Sequence, residues 1–215
     1  MSGLVDTPSS LRTASTRAQR PIGLTSKRMI DIVLAVSAVM LLSPLLIVCY
    51  VATVVTSPGP ALFRHRCVGF RGHHFDCLKF RTGVTDAPER PRLLEDDHAA
   101  AGWAANRKPR VTAIAAILRS SRLDELPQLF NVLKGEMSIV GPRPVTDEDL
   151  VRYSDAVDAY LACRPGIIGL WQANGRSTPT HQKRIAYDAL YARKWSMTLD
   201  AKILLVTIFR RFVFR

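Results

Sequence analysis

Two adjacent carboxylates, Asp124 and Glu125, precede an apolar helical pattern and could take part in chemistry. Because proline inside a helix is tolerated only in the first turn, Pro127 predicts a helix over about 124–134 with Asp124 at or near its N-cap. The free N–H groups of that terminus would keep Asp124 ionised and attract phosphate. An ionised Asp124 could attack phosphorus while Glu125 holds Mg²⁺. Alternatively, Asp124 only caps the helix and Glu125 is a solvated acid.

Three arginines accompany this pair. Arg119 precedes it, Arg143 lies between two prolines in "GPRP", and Arg176 lies in the turn "NGRS". Guanidinium groups match phosphate oxygens bidentately, and the prolines restrict the backbone around Arg143. Each arginine alone could be an ordinary surface charge. Together with the carboxylates they predict a site for a phosphorylated substrate.

The charge balance agrees with an anionic partner. The 215 residues carry a formal net charge of +12, and four cysteines form no CxxC pair. Such a charge suits nucleic acid, a membrane surface or a phosphorylated substrate. No strand interleaves basic and aromatic residues as nucleic-acid-binding modules do, so we expect no nucleic-acid partner. The cysteines are expected to be reduced thiols in a cytosol-facing protein.

One apolar segment is long enough to enter a membrane. No charged residue occurs between Ile32 and Phe63. Residues 32–56 as a helix would measure roughly 38 Å, against a hydrocarbon core of about 30 Å. Ser43-Pro44 lies at the middle, and basic residues flank both ends, where positive charge normally stays cytoplasmic. These features leave two paths open, a re-entrant pair of half-helices and a Pro-kinked single span.

The rest of the chain predicts a small mixed domain. We expect a β-hairpin over 62–82, an irregular connection with a short helix over 84–109, helices over 111–121, 146–166 and 181–195, a turn-rich loop over 165–177, and a terminal apolar helix over 199–215. The terminal helix could lie in the membrane interface with its arginines at the headgroups, or pack on the domain.

Two further features have ordinary alternatives. A structural zinc site is one reading of five residues around the hairpin, although their spacing fits no standard zinc pattern: His65, Cys67, His73, His74 and Cys77. Trp171 could stack on a nucleotide base or be a buried aromatic anchor.

The chain resembles the bacterial sugar transferases, also called monotopic phosphoglycosyl transferases. The matching stretches cover about residues 27–208: "KRMID" at 27–31, "SP" at 43–44, "SPGPALF" at 57–63, "KFRT" at 79–82, "LRSSRLDELPQLFNVLKGEMSIVGPRP" at 118–144, "RPGIIGLWQANGRS" at 164–177 and "SMTLDAKILLVTI" at 196–208. The long central motif is highly specific.

The resemblance implies transfer of a sugar 1-phosphate from a nucleoside diphosphate sugar, expected to be a UDP-sugar, to polyprenyl (undecaprenyl) phosphate. It implies that Asp124 is the nucleophile, forming a covalent phosphosugar intermediate, and that Glu125 with Asp124 binds Mg²⁺. The residues it implies for phosphate and nucleotide binding are Arg119, Arg143, Arg176, Lys79 and Arg81.

The resemblance also implies a setting: the cytoplasmic leaflet of a bacterial inner membrane, among phospholipids, at the first membrane step of a glycoconjugate or exopolysaccharide pathway. It favours the re-entrant path, with a helix broken at Ser43-Pro44. A homodimer is an open alternative for the assembly. An inactive membrane scaffold of the same fold, or a basic anion-binding membrane protein, is the alternative to an enzyme.

The expected fold is therefore α+β and mostly helical, with a re-entrant helix-break-helix, a β-hairpin and interfacial helices. Its predicted parts are a disordered basic tail (1–26), a membrane segment (27–60), a catalytic domain (61–208) and a basic, aromatic interfacial tail (209–215). Four positions depart from the family pattern and leave the substrate open: Gly83, Ala115, Ala116 and Ile168.

Overall fold

The computed structural model describes residues 21–56, 58–82, 112–174 and 180–213. Its longest element is helix α1, Leu24–Thr56, of 33 residues. The most apolar stretch of α1 has a mean hydropathy of 2.8, and 11% of that stretch is buried. Among the described residues, α1 is the one helix long and apolar enough to cross a membrane.

Helix α1 continues through Ser43 and Pro44. The Ser43 hydroxyl donates a hydrogen bond of 2.9 Å to the Met40 carbonyl, which receives no hydrogen bond from Pro44 because proline has no N–H. The expected helix-break-helix is therefore one helix containing a proline, with the freed carbonyl bonded by serine. The re-entrant path stays a prediction.

The first turns of α1 are held to the rest of the protein by polar side chains. Lys27 Nζ lies 2.6 Å from an Asp200 carboxylate oxygen and donates to the Val140 carbonyl at 2.9 Å. The Asp31 carboxylate accepts hydrogen bonds from the Ser138 hydroxyl and the Ile139 N–H. The predicted tail over 1–26 is wrong for its last residues, because α1 begins at Leu24. Residues 1–20 lie outside the described ranges.

The expected hairpin is present. Strand β1 (Leu62–Val68) pairs antiparallel with β2 (His74–Phe80), and a tight turn at Phe70–Gly72 joins them. Gly72 has a φ of +78°, in the left-handed region that favours glycine. The predicted connection over 84–109 lies outside the described residues.

A second sheet was not predicted. Strand β3 (Ser138–Val140) pairs in parallel with β4 (Gly166–Ile168), within the expected loop over 165–177. The chain must approach itself closely here, since a Cβ on Gly166 would lie 2.1 Å from the backbone nitrogen of Gly141. This contact anchors the start of "GPRP". Ile168, one of the departures from the family pattern, is a strand residue paired with Val140.

The helices follow the prediction in part. Helix α2 (Ala113–Ser121) is capped by the Thr112 side chain, which accepts from the Ala115 N–H. The predicted helix 124–134 is a 3₁₀ turn at Leu123–Glu125 followed by α3 (Gln128–Lys134). Gly135, with a φ of +88°, ends α3 as expected. The left-handed Arg122, with a φ of 58°, turns the chain between α2 and the 3₁₀ turn.

The predicted helix 146–166 is also divided. It forms α4 (Asp147–Val151), a 3₁₀ turn (Ser154–Ala156) and α5 (Val157–Leu161). The first turn of α4 carries three acids, Asp147, Glu148 and Asp149, and is capped by Thr146. Ser154 has a φ of 43°, a left-handed residue that accompanies the break in the helix.

Three helices complete the chain: α6 (Leu170–Asn174), α7 (His181–Lys194) and α8 (Met197–Val213). Helix α8 is fully buried at Ile203, near its middle, whereas Phe209, closer to its C-terminus, is exposed. The packed alternative is confirmed around Ile203, and an interfacial position for the exposed part stays a prediction. The side chains of 211–213 and residues 214–215, in the predicted interfacial tail, lie outside the described parts.

The main core lies between α1, α3, α8 and the two sheets. Ala35 of α1, Val132 of α3 and Ile203 of α8 are among its fully buried members. A smaller cluster joins the second half of α1 to α2, through Cys49, Phe80 and Leu118. The observed protein is thus mostly helical with two small sheets. This confirms the expected α+β, mostly helical fold class.

Candidate active site

The carboxylate pair lies in the 3₁₀ turn at Leu123–Glu125, which packs against β2 and α2 and joins an apolar cluster that includes Cys49 of α1. Leu123 and Leu126, on either side of the pair, contact the cluster formed by Cys49, Phe80 and Leu118. The pair is therefore connected, through this cluster, to the segment of the chain that is suited to a membrane.

The N-cap predicted for Asp124 is wrong. Helix α3 begins at Gln128 with Pro127 as its capping residue, and no side chain caps it. Proline fixes the start of the helix, as expected, but one turn later than the sequence suggested. A helix of two turns also has too few aligned peptides for its dipole to govern Asp124. Another source of charge stabilisation is therefore needed.

Nearby cations offset part of the cost of burying the Asp124 charge. Asp124 retains 9% exposure, and burial together with the negative charge of Glu125 raises the pKa of its carboxyl. The positive charges of Lys79 and Arg119 act in the opposite direction. A raised pKa makes the ionised carboxylate more basic, which favours a nucleophile.

The pKa of the Glu125 carboxyl is shifted in the opposite direction from that of Asp124. Burial would raise the pKa of its carboxyl. The charge of Lys79, followed by those of Arg143 and Arg122, outweighs burial and lowers the pKa to about 2. Lys79 Nζ lies 3.1 Å from Glu125 Oε1, with both side chains largely buried. Two adjacent carboxylates are thus driven apart in pKa, a pattern typical of groups with different catalytic roles.

A cleft opens beside the pair. Nine residues line it: Cys77, Lys79, Glu125, Gln128, Arg143, Pro144, Gly166, Ile167 and Gln172. Glu125 is in this lining, whereas Asp124 lies next to it. The cleft brings together Lys79 of β2, Glu125 of the 3₁₀ turn and Arg143 of "GPRP", three of the predicted site residues.

The backbone around Arg143 is fixed from both sides. Before it, the Gly166 N–H donates to the Pro142 carbonyl at 2.7 Å. After it, the Val145 N–H donates to the Tyr160 hydroxyl at 3.2 Å and Val145 forms a bridge with Val68. The rigidity expected from two prolines is thus reinforced by the second sheet and by α5. Arg143 is presented to the cleft from a held segment.

The other predicted cations have different locations. Arg119 is exposed at the end of α2, where its guanidinium donates to the Thr82 hydroxyl at 3.1 Å. Arg81 is buried and donates to the Pro58 carbonyl, so it ties the end of the membrane segment to β2 instead of lining the cleft. Arg176 and Gly83 lie outside the described residues. Of the departures in α2, Ala115 is buried and Ala116 exposed.

The carboxylate pair is compatible with Mg²⁺ completed by a substrate. Magnesium takes hard oxygen ligands and commonly uses one or two protein carboxylates plus phosphate oxygens. Asp124 and Glu125 supply two such carboxylates beside a cleft whose cations suit phosphate. No third protein ligand is needed for this arrangement, and Lys79 would have to share Glu125 with the ion.

The zinc alternative has no support among the described residues, where no group of three or more His, Cys, Asp or Glu side chains could hold a metal. His65 faces Cys77 across the hairpin, and His74 instead pairs with Asp147 at 2.9 Å. Trp171 is buried, with the Arg184 guanidinium 5.0 Å above its ring. This favours the aromatic-anchor alternative for Trp171.

Comparison with known proteins shows the family to which the chain is similar. A family model described as bacterial sugar transferase matches residues 22–214. The exopolysaccharide production protein ExoY of Sinorhizobium fredii is 41% identical over 199 residues, which cover 90% of this chain and 88% of that protein. An undecaprenyl-phosphate galactose phosphotransferase of Salmonella typhimurium is 42% identical over 84% of this chain and 39% of its own length. A UDP-glucose:undecaprenyl-phosphate glucose-1-phosphate transferase of Escherichia coli is 38% identical over 87% and 40%, respectively.

Proposed function

Because the chain belongs to the bacterial sugar transferase family, we propose that it is a phosphoglycosyl transferase that moves a sugar 1-phosphate from a UDP-sugar to undecaprenyl phosphate. The products are undecaprenyl diphosphate sugar and UMP. The similarity to proteins named for exopolysaccharide production supports a role at the start of such a pathway.

One observation carries this proposal. Leu123 and Leu126, around Asp124 and Glu125, pack against an apolar cluster that contains Cys49 of α1, while Glu125 lines a cleft with Lys79 and Arg143. One cluster of side chains therefore connects a candidate phosphate site to the apolar segment. This arrangement suits a reaction whose donor is water-soluble and whose acceptor phosphate lies at the bilayer surface.

The residues can divide the chemistry between them. In the proposed first step, an Asp124 oxygen bonds to the phosphorus that carries the sugar, and the bond to the bridging oxygen of the diphosphate breaks. The electron pair leaves with UMP. In the second step, an oxygen of undecaprenyl phosphate bonds to the same phosphorus, and Asp124 is released as carboxylate. Ping-pong kinetics would follow.

Cationic residues assist both steps by stabilising charge on the phosphoryl oxygens. Lys79 and Arg143 are placed for this in the cleft, and Arg119 acts on the Asp124 carboxylate from the solvent side. Mg²⁺, held by Glu125 with Asp124, would supply further neutralisation of the diphosphate. Asp124 keeps 9% exposure, so the donor phosphorus must approach through this exposed part of the side chain.

We also propose the re-entrant path for α1, in the cytoplasmic leaflet of the inner membrane. Ala35, before Ser43-Pro44, packs in the main core, and Cys49, after it, packs against Phe80 and Leu118. Contacts with one soluble body on both sides of the proline support an entry and an exit on the same face of the membrane. Tags at the two termini should be accessible from the cytoplasmic side alone; external access to the N-terminus would refute the path.

The function is tested with purified protein, undecaprenyl phosphate, Mg²⁺ and a panel of UDP-sugars. UMP release that depends on the lipid is expected with at least one donor. Asp124→Asn should abolish release while remaining in the membrane fraction. Asp155→Asn, an exposed aspartate away from the cleft, is the matched control. Absence of release from the wild type with every donor would favour the scaffold alternative.

A further inference from the structure

Gln128 is a buried residue that the proposed chemistry does not use. It is the first residue of α3, one helical turn beyond Glu125, and only 3% of it is exposed. It lines the same cleft as Lys79, Glu125 and Arg143. Among the described residues, its side-chain amide has no hydrogen-bond partner.

The neighbouring turn of α3 shows how unusual this is. Asn131 is fully buried, and its amide is paired at both ends. Its oxygen accepts from the Leu78 N–H at 3.0 Å, and its nitrogen donates to the Asp76 carbonyl and the Glu136 carboxylate. Buried polar groups in folded proteins are nearly always hydrogen-bonded. The Gln128 amide is not among the fully buried unpaired atoms, so it keeps access to the cleft and is available to hydrogen-bond a ligand there.

The chemistry of the amide narrows that partner. A glutamine amide both donates and accepts, whereas a phosphate oxygen can only accept. A sugar hydroxyl donates and accepts, so it can satisfy both ends of the amide. Lys79 and Arg143 already provide cationic donors for phosphate in the same cleft.

A second amide lies in the lining. The Gln172 side-chain oxygen accepts from the Gly169 N–H, which fixes the amide and leaves its NH₂ group as a donor. The cleft thus combines charged side chains suited to a diphosphate with neutral amides suited to hydroxyl groups. The two neutral amides come from α3 and α6, and the second sheet lies beside them in the lining.

We propose that Gln128 is a substrate-contact residue that hydrogen-bonds a hydroxyl of the sugar being transferred. This inference rests on the proposed function and assigns to it a residue that reads the sugar. Loss of a hydrogen bond in a site built to pair a hydroxyl discriminates strongly between substrates, because the partner left behind is buried and unpaired.

The test measures kcat/KM for lipid-dependent UMP release with UDP-glucose, UDP-galactose and their monodeoxy analogues. Gln128→Met, of similar volume, should lower kcat/KM by about 10- to 100-fold for the preferred donor. With the wild type, kcat/KM for one deoxy analogue should be lower than for the parent donor by a similar factor. With Gln128→Met, kcat/KM for that analogue and for the parent donor should be nearly equal. Gln182→Met, an exposed glutamine on α7, is the matched control and should match the wild type.

Two results would overturn the inference. The first is a kcat/KM of Gln128→Met equal to that of the wild type. The second is a variant in which every deoxy analogue lowers kcat/KM by the same factor as in the wild type, which would place the Gln128 contact on phosphate or nucleotide. If the variant does not fold, a wild type that loses less than about threefold with each deoxy analogue overturns it equally. Absence of UMP release from the wild type would refute the proposed function itself, whereas normal wild-type turnover with a normal variant refutes the inference alone.

Discussion

The buried carboxylate Asp188 makes the stability of this protein depend on pH. Asp188 lies in α7 and is 2% exposed. The Tyr153 hydroxyl donates to one of its oxygens at 2.9 Å, and the other oxygen has no partner among the described residues. Burial outweighs the Tyr153 hydrogen bond and the charges of Arg143 and Arg184, and raises the pKa of Asp188 to about 7.

The direction follows from proton binding. Between its ordinary pKa of 3.8 and about 7, Asp188 is protonated in the folded protein and ionised in the unfolded chain. The free energy of unfolding therefore falls as pH rises through this window and is level above it. At 1.36 kcal/mol per pKa unit, the full penalty is about 4 kcal/mol, of which about 3 kcal/mol develops between pH 5 and pH 8.

The substitution Asp188→Asn removes the charge and keeps an acceptor for Tyr153. We expect this variant to gain about 3 kcal/mol more stability over the wild type at pH 8 than at pH 5, or roughly 6–12 °C in Tm. Thermal unfolding in detergent, followed by tryptophan fluorescence at the two pH values, measures it. Asp155→Asn is the exposed control. An effect of Asp188→Asn that is equal at both pH values, or destabilisation at pH 8, would refute the reasoning.

Two further variants test the packing around the site. Lys79→Met should reduce UMP release by more than about 100-fold and destabilise the protein by roughly 3–5 kcal/mol. The reason is that the Glu125 carboxylate would stay buried and lose its partner at 3.1 Å. UMP release at the wild-type rate in this variant would show that Lys79 is not part of the site. Asp31→Ala should cost about 3 kcal/mol in thermal unfolding, since two hydrogen bonds from Ser138 and Ile139 to a charged group are lost, and a Tm equal to that of Asp155→Ala would contradict the role of Asp31 in holding α1 to β3.

Elements with strong local signals were predicted correctly. The sequence predicted a membrane segment from a long uncharged run, a hairpin over 62–82 and a helix ending near residue 134, and the structure has α1, the β1–β2 hairpin and the end of α3 there. In each case the determining interaction is local, so that a short stretch of sequence contains it.

The parts that were missed depend on distant residues. Strands β3 and β4 have three residues each and pair only because Gly141 and Gly166 allow their backbones to meet. Asp124 was expected at a helix N-cap, but the left-handed Arg122 sets a 3₁₀ turn there. The periodic spacing of apolar residues shows neither that β3 pairs with β4 nor that the backbone turns at Arg122.

The sequence predicted part of the candidate site. The sequence indicated Asp124, Glu125 and Arg143 through their motif, and the structure brings them and Lys79 to one cleft or its edge. The place of Arg81 against Pro58 could not be foreseen, because a phosphate-binding arginine and a structural one share the same residue type. The amide of Gln128 was missed, although its spacing from Glu125 puts both on one helical face.

The central claim is that the Asp124 carboxylate bonds to phosphorus. Intact-mass spectrometry after mixing the protein with UDP-sugar and Mg²⁺, without undecaprenyl phosphate, tests it directly. We expect a mass increase of one hexose phosphate, located on Asp124 by peptide mapping, absent in Asp124→Asn and lost when the lipid is added. Lipid-dependent UMP release with no adduct at any time, or with an adduct on another residue, would contradict it.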